Sequence, residues 1–207
     1  MPYIKPLNLL FIHIPKTGGV SVTKYFFEKF NIKEDGKEVL YTKRPYKDPH
    51  FKVSYGHLRY IDIISNSDKF NLDFENINLM TVVRNPYLRI ISDLIFTNKI
   101  KTDSTQLFVQ NEIEKYLTSN CVFDNHKITQ YEMLADRNNN IPKNLIIIRN
   151  ETLTEDMCKL SYIDFNKYLN NSNNHKIEYM SLLNEKSISL INNYYRKDFE
   201  TFGYQII

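Results

Sequence analysis

Two short stretches of this sequence have the residue types needed to hold anions. The first is Pro15-Lys16-Thr17-Gly18-Gly19-Val20-Ser21. Paired glycines allow a close backbone approach. N–H groups of such a turn, at the start of a helix, point together at one anion. Lys16 adds a mobile positive charge, and Thr17 and Ser21 add hydroxyl donors. The second stretch holds Arg84, whose guanidinium can fork onto a phosphate, and Ser92 about two helical turns later. Chemistry at neutral pH also asks for a base with a pKa near 7, which favours histidine. Of the five histidines, His57 follows Gly56 at the end of an expected strand and is the candidate base. His126 ranks second, as an acceptor-side or positioning residue. His13 falls within the first strand, where packing accounts for it.

Each of these groups needs an element to carry it. Residues 7–14 (LNLLFIHI) and 79–84 (LMTVVR) are short apolar runs, the pattern of strands buried on both faces. Residues 145–148 form a third such run, and 52–57 read as a further short strand. Lys16 to Ser21 therefore join a strand to a helix over 20–30. Arg84 closes the second strand, and ligands of open α/β sheets gather at strand carboxyl ends. Asn85 and Pro86 are a cap and a first-turn proline for a helix running to about residue 97. Helices are also expected over 104–117, 128–135 and 163–169. An amphipathic helix over 185–202 stops at Gly203. Residues 31–50 read as a long polar loop with a short strand at 39–42, and 170–174 as an Asn-rich loop. The expected fold is a three-layer α/β domain over residues 1–207. Its sheet would be mostly parallel, of about four or five strands, opening with a P-loop-like strand–loop–helix.

Composition narrows the class. The 207 residues are 42% hydrophobic and 25% charged, with a formal net charge of +3. That suits an anionic ligand or polymer and falls short of a dedicated nucleic-acid binder. The two cysteines, Cys121 and Cys158, have no metal-ligand spacing, and a disulfide or two free thiols both remain open. No metal is expected. The N-terminus lacks a signal-peptide pattern, and no apolar run approaches the roughly 20 residues of a membrane span. The expectation is a cytoplasmic chain, or a Golgi-lumen one only where an anchor has been removed.

The loop is not a Walker loop, in which the lysine follows the second glycine. Lys16 precedes both. IPKTGGVS resembles instead the 5′-phosphosulfate loop of sulfotransferases that use 3′-phosphoadenosine 5′-phosphosulfate (PAPS). VVRNPYLRIISDLIF resembles their 3′-phosphate motif, R-x-P-x-x-R-x-x-S after a strand. HIPKTGG is the form of the carbohydrate branch, which includes the heparan 2-O-sulfotransferases. VSYGHLRY, FDNHKITQ and YYRKDFETFGY resemble further segments of that branch, so the likeness runs from Phe11 to Tyr204.

The resemblance implies sulfuryl transfer from PAPS to a carbohydrate hydroxyl, releasing 3′-phosphoadenosine 5′-phosphate (PAP). Lys16, Thr17, Gly18, Gly19, Val20 and Ser21 would hold the 5′-phosphosulfate, and Lys16 would steady the departing oxygen. Arg84 and Ser92 would hold the 3′-phosphate, and His57 would be the base. Arg59, Lys127, Arg89 and His126 are acceptor-side candidates. His175, Lys176 and Lys186 are candidates for a basic loop over the nucleotide. The loop over 31–50, with Lys33, Lys37, Lys43, Arg44 and Lys47, either covers the acceptor cleft or is a solvated loop. Three alternatives stand beside this reading: a tyrosine, lipid or small-molecule acceptor, a P-loop-type kinase, and a non-catalytic nucleotide-binding module. Arg84 stands where a kinase would carry an acid, which counts against the second.

Overall fold

The three apolar runs pair with one another. A computed structural model describes residues 2–33, 53–165 and 179–207, and it joins these runs in a four-stranded sheet. The order is β1 (Tyr3–Ile4), β2 (Leu9–Ile12), β3 (Asn78–Val83), β4 (Leu145–Arg149). β1 is antiparallel to β2, while β2, β3 and β4 are parallel. Leu10 stands beside Leu79, and Leu79 beside Leu145. The result is an α/β protein with a mixed, mostly parallel sheet.

Nine helices surround it among the described residues. They are α1 (Gly19–Lys29), α2 (Tyr60–Ile64), α3 (Ser67–Phe70), α4 (Pro86–Phe96), α5 (Gln106–Thr118), α6 (Gln130–Leu134), α7 (Leu153–Lys159), α8 (Glu185–Tyr194) and α9 (Arg196–Phe202). Side chains alternate along a strand, and in β2 and β3 both sets are buried, while β4 buries Leu145 and Ile148 and exposes Ile146 and Ile147. Leu9, Phe11, Met80 and Val82 pack with Val22 and Phe26 of α1 and Met157 of α7. Leu10, Ile12, Leu79 and Val83 pack with Ile63 of α2, Phe70 of α3 and Met133 of α6. This two-sided cover is why the runs of β2 and β3 are continuous rather than alternating. A third cluster gathers α4, α5, α8 and α9 around Tyr87, Ile91, Ile113 and Phe199. Burying each such side chain contributes about 1.5–3 kcal/mol.

Several expectations change. Residues 53–57 form no strand. Tyr55–His57 is a 3-10 turn in which the His57 N–H reaches the Ser54 carbonyl at 3.0 Å. The Ser54 N–H is taken at 2.6 Å by Asp124 instead of by a neighbouring strand. The expected helix over 185–202 is two helices, divided at Tyr195 (φ −102°, ψ 21°). Tyr195 is buried and its hydroxyl donates to the Lys127 carbonyl at 3.1 Å, a tertiary bond that favours the break. Residues 163–165 are a turn, and the rest of the helix expected over 163–169 lies outside the described residues, as do the strand at 39–42 and the loop at 170–174. The short strand β1 and helices α2, α3 and α7 were not expected. Gly203 caps α9 in the left-handed region (φ 64°), as its position implied. Cys121 and Cys158 are both free and exposed. Among the described residues, no helix is long and apolar enough to cross a membrane.

Candidate functional site

β2 delivers the chain into the loop from His13 to Gly18, and α1 follows. Four successive carbonyls of this loop are each held by a side chain. Ile14 accepts from Thr17 Oγ1 at 2.9 Å, Pro15 from Arg89 Nε at 3.1 Å, Lys16 from Arg84 Nη1 at 3.2 Å, and Thr17 from Asn150 Nδ2 at 2.9 Å. The N–H groups of Gly18, Gly19 and Val20 find no acceptor among the described residues. They are the free donors of a helix start, where the dipole favours an anion.

The backbone is turned by left-handed residues at Lys16 (φ 67°) and Gly18 (φ 94°). The space beside the glycines is already filled by the protein. A Cβ on Gly18 would stand 2.5 Å from Asn150 Nδ2, and one on Gly19 would stand 2.3 Å from His13 Cδ2. The two glycines thus let neighbouring side chains close on the loop. Thr17 and Ser21 are buried, while Val20 is exposed.

Arg84 stands at the end of β3, where the side chain of Gln130 clamps its backbone. Oε1 accepts from the Arg84 N–H and Nε2 donates to its carbonyl, both at 2.8 Å. Gln130 is held in turn, because the Gln130 and Tyr131 N–H groups donate to Asp198 of α9 at 2.9 and 2.8 Å. The Arg84 guanidinium lies 5.7 Å from the Tyr179 ring, and its Nε is buried with no protein partner. Burial pushes its pKa down. Ser92 is half-buried on α4, one turn before Phe96. Lys16 Nζ rests 3.9 Å from the centre of the Phe96 ring. Burial lowers its pKa; Asp93 opposes that shift and Arg84 adds to it.

His57 has a carboxylate behind it. Its Nδ1 is 2.7 Å from Asp124 Oδ2, and Ser54 Oγ donates to the same oxygen at 2.9 Å. Burial pushes the Asp124 carboxyl up, but the bonds from His57 and Ser54 more than offset that and hold it well below the usual range. Burial also pulls His57 below its ordinary value, against the raising effect of Asp124. An ionised Asp124 fixes the His57 proton on Nδ1 and leaves Nε2 with its lone pair. The His57 ring lies 5.2 Å from that of His13 and 5.2 Å from that of His126. His13 is buried, with Nδ1 unpartnered; burial first and His57 second push its pKa well down. His126 Nδ1 pairs with the buried Asp93, which also accepts from Tyr116. Phe96 stacks on His126 at 5.7 Å, so Lys16 and His126 share one aromatic neighbour.

The remaining candidates divide. Arg89 is buried, and its guanidinium reaches Pro15, Ile128 and His126 carbonyls at 3.1, 2.9 and 2.8 Å. It organises the site from within and faces no acceptor. Lys127 is buried too, with Nζ donating to the Ser119 carbonyl. Arg59 is held by Asp62 through Nε at 2.9 Å and Nη2 at 2.8 Å. Lys186 pairs with Glu114 at 3.7 Å on the surface. Lys37, Lys43, Arg44, Lys47, His175 and Lys176 lie outside the described residues. Sequence reasoning assigned no role to Asp124, Asp93, Gln130 or Asn150. Asp124 and Gln130 fall within FDNHKITQ and Asp93 within VVRNPYLRIISDLIF, segments that carried the resemblance without a role for these residues, while Asn150 had no signal. The chain matches no family model, no curated protein and no solved structure.

Proposed function

We propose that this chain transfers a sulfuryl group from PAPS to a hydroxyl of a carbohydrate acceptor. One observation carries the reading. The Lys16 loop and Arg84 follow adjacent parallel strands and are joined at 3.2 Å, and Lys16 shares Phe96 with His126, whose ring meets that of His57. PAPS carries two anionic ends, a 5′-phosphosulfate and a 3′-phosphate, and a loop of free N–H groups with a neighbouring guanidinium offers donors for each. The free N–H groups of Gly18, Gly19 and Val20 and the buried, unpartnered Arg84 Nε fit such a ligand. When bound, PAPS supplies a sulfuryl group activated by its phosphosulfate anhydride. The N–H groups and Lys16 would hold the 5′ end, Arg84 and Ser92 the 3′-phosphate.

His57 Nε2 is the atom that takes the acceptor hydroxyl's proton, and Asp124 stabilises the imidazolium that results. Lys16 places positive charge where negative charge develops. His126, fixed by Asp93, positions the acceptor. A second reading keeps the chemistry and changes the acceptor to an aryl or lipid hydroxyl. Phe96 (58% exposed) and Phe123 (57% exposed) both lie against His126 and offer an apolar wall. Calorimetry with PAP, ATP and the Lys16→Ala and Arg84→Ala variants tests the donor half. PAP binding that exceeds ATP binding and is lost in both variants is expected, and equal binding of the two nucleotides refutes the reading. Labelled-sulfate transfer to glycans and to phenols, with His57→Ala as control, then separates the acceptors.

A further inference from the structure

We propose that His57, His126 and Asp124 form a binding site for a zinc-type divalent transition-metal ion. Each residue brings one donor atom into a group whose members all lie within 4.8 Å of one another. Two imidazoles and a carboxylate are a donor set such ions prefer, with water completing the shell. The surroundings suit ligation as well. A metal-binding histidine usually gives its other ring nitrogen to a carboxylate, which fixes the ring and raises its basicity. His126 has such a partner outside the donor group, the buried Asp93 on its Nδ1.

The two rings meet edge to face at 5.2 Å, and His13, with a buried unpartnered Nδ1, lies against the far side of His57. His13 thus places a further unpartnered ring nitrogen beside the cluster. Donors around a tetrahedral ion stand about 3.3–3.5 Å apart, so the group must contract by about 1.4 Å at its widest. Phe96 and Phe123, which flank His126, are both largely exposed, so they can yield as the group contracts while the Asp93 bond is kept. An ion held here takes the lone pair of His57. It therefore inhibits proton transfer, a consequence that rests on the sulfuryl-transfer reading, while the metal site itself does not.

The test is calorimetric titration of zinc chloride alone into the full chain, with and without PAP. Binding of one ion is expected for the unaltered chain and for Cys121→Ser. His57→Gln and His126→Gln should each weaken it at least about tenfold. Undiminished binding in the double His57→Gln/His126→Gln variant, or no binding to the unaltered chain, overturns the site. Cobalt(II) titration of the unaltered chain covers the case of a variant that does not fold. An intense visible band of a four-coordinate ion is expected, and a weak six-coordinate spectrum counts against the site. The PAP arm separates the two readings. Zinc binding without PAP binding leaves the metal site standing and sinks the sulfuryl-transfer reading, and PAP binding without zinc binding does the reverse.

Discussion

Gly19→Ala probes the packing that shapes the anion loop. The new Cβ would stand 2.3 Å from His13 Cδ2 and 2.7 Å from its Nε2. Carbon contacts settle near 3.5–4.0 Å, so the ring must retreat by about 1.2 Å. It has little room to do so. His13 is buried, with Phe11 at 5.9 Å and His57 at 5.2 Å between ring centres. Overpacking of this kind costs about 1–3 kcal/mol. Replacing a helical glycine by alanine returns up to about 1 kcal/mol. The net loss is then about 1 kcal/mol, a fall in Tm of about 2–4 °C for a chain of this size. Thermal unfolding followed by circular dichroism measures it. In a His13→Ala background the clash is gone and only the helical gain remains, so the same substitution should raise Tm. The cycle isolates a coupling of about 2 kcal/mol. A rise in Tm for Gly19→Ala alone, or equal effects in the two backgrounds, would refute the reasoning.

Further expectations follow from the same contacts. His13 and His57 have folded-state pKa values below their unfolded ones, so the unfolded chain binds more protons and stability falls as pH drops below about 6.5. His13→Phe should reduce that fall between about pH 6.5 and pH 5 in thermal melts, at up to about 1.4 kcal/mol per pH unit. Asp124 is depressed, so its contribution is full above about pH 4 and is lost as pH falls through its folded value. The Tm gap between the unaltered chain and Asp124→Asn should therefore close only in strong acid. Arg89→Ala strands three carbonyls and should cost about 3 kcal/mol or more in urea unfolding, with little recovery in Arg89→Lys because an ammonium cannot span them. Arg84→Lys should weaken PAP binding at least about tenfold by calorimetry, since it loses the fork.

The parts of the fold set by local periodicity were legible in the sequence. The runs at 7–14, 79–84 and 145–148 became β2, β3 and β4 within a few residues, and Asn85 caps α4 by accepting from the Tyr87 N–H at 3.0 Å. Where a tertiary bond competes with the local pattern, the pattern misled. Nothing near Tyr195 breaks a helix, because the cause is the distant Lys127 carbonyl. Val53 and Tyr55 alternate like a strand, but Asp124 takes the Ser54 N–H. The site divides in the same way. His57 sits on a 3-10 turn where a strand was expected, whereas Lys16 to Ser21 and Arg84 stand on or beside legible elements. Their supports do not, since Gln130, Asp198 and Asn150 act across the sheet ends. The charges of Arg59 and Lys127 looked free only because Asp62 and the Ser119 carbonyl could not be placed.

Arg89 joins Pro15 of the anion loop to His126 and Ile128 of the neighbouring loop with one rigid, planar group. Mechanically the two loops are bolted to a single plate on α4. A small slide or roll of that helix carries both along and preserves the spacing between them, so thermal jitter of α4 leaves the register of the two halves intact. Losing the bolt frees each half separately. On the proposed chemistry, apparent affinities for donor and acceptor should then weaken together in Arg89 variants, whereas damage to a single loop shows in one of them alone.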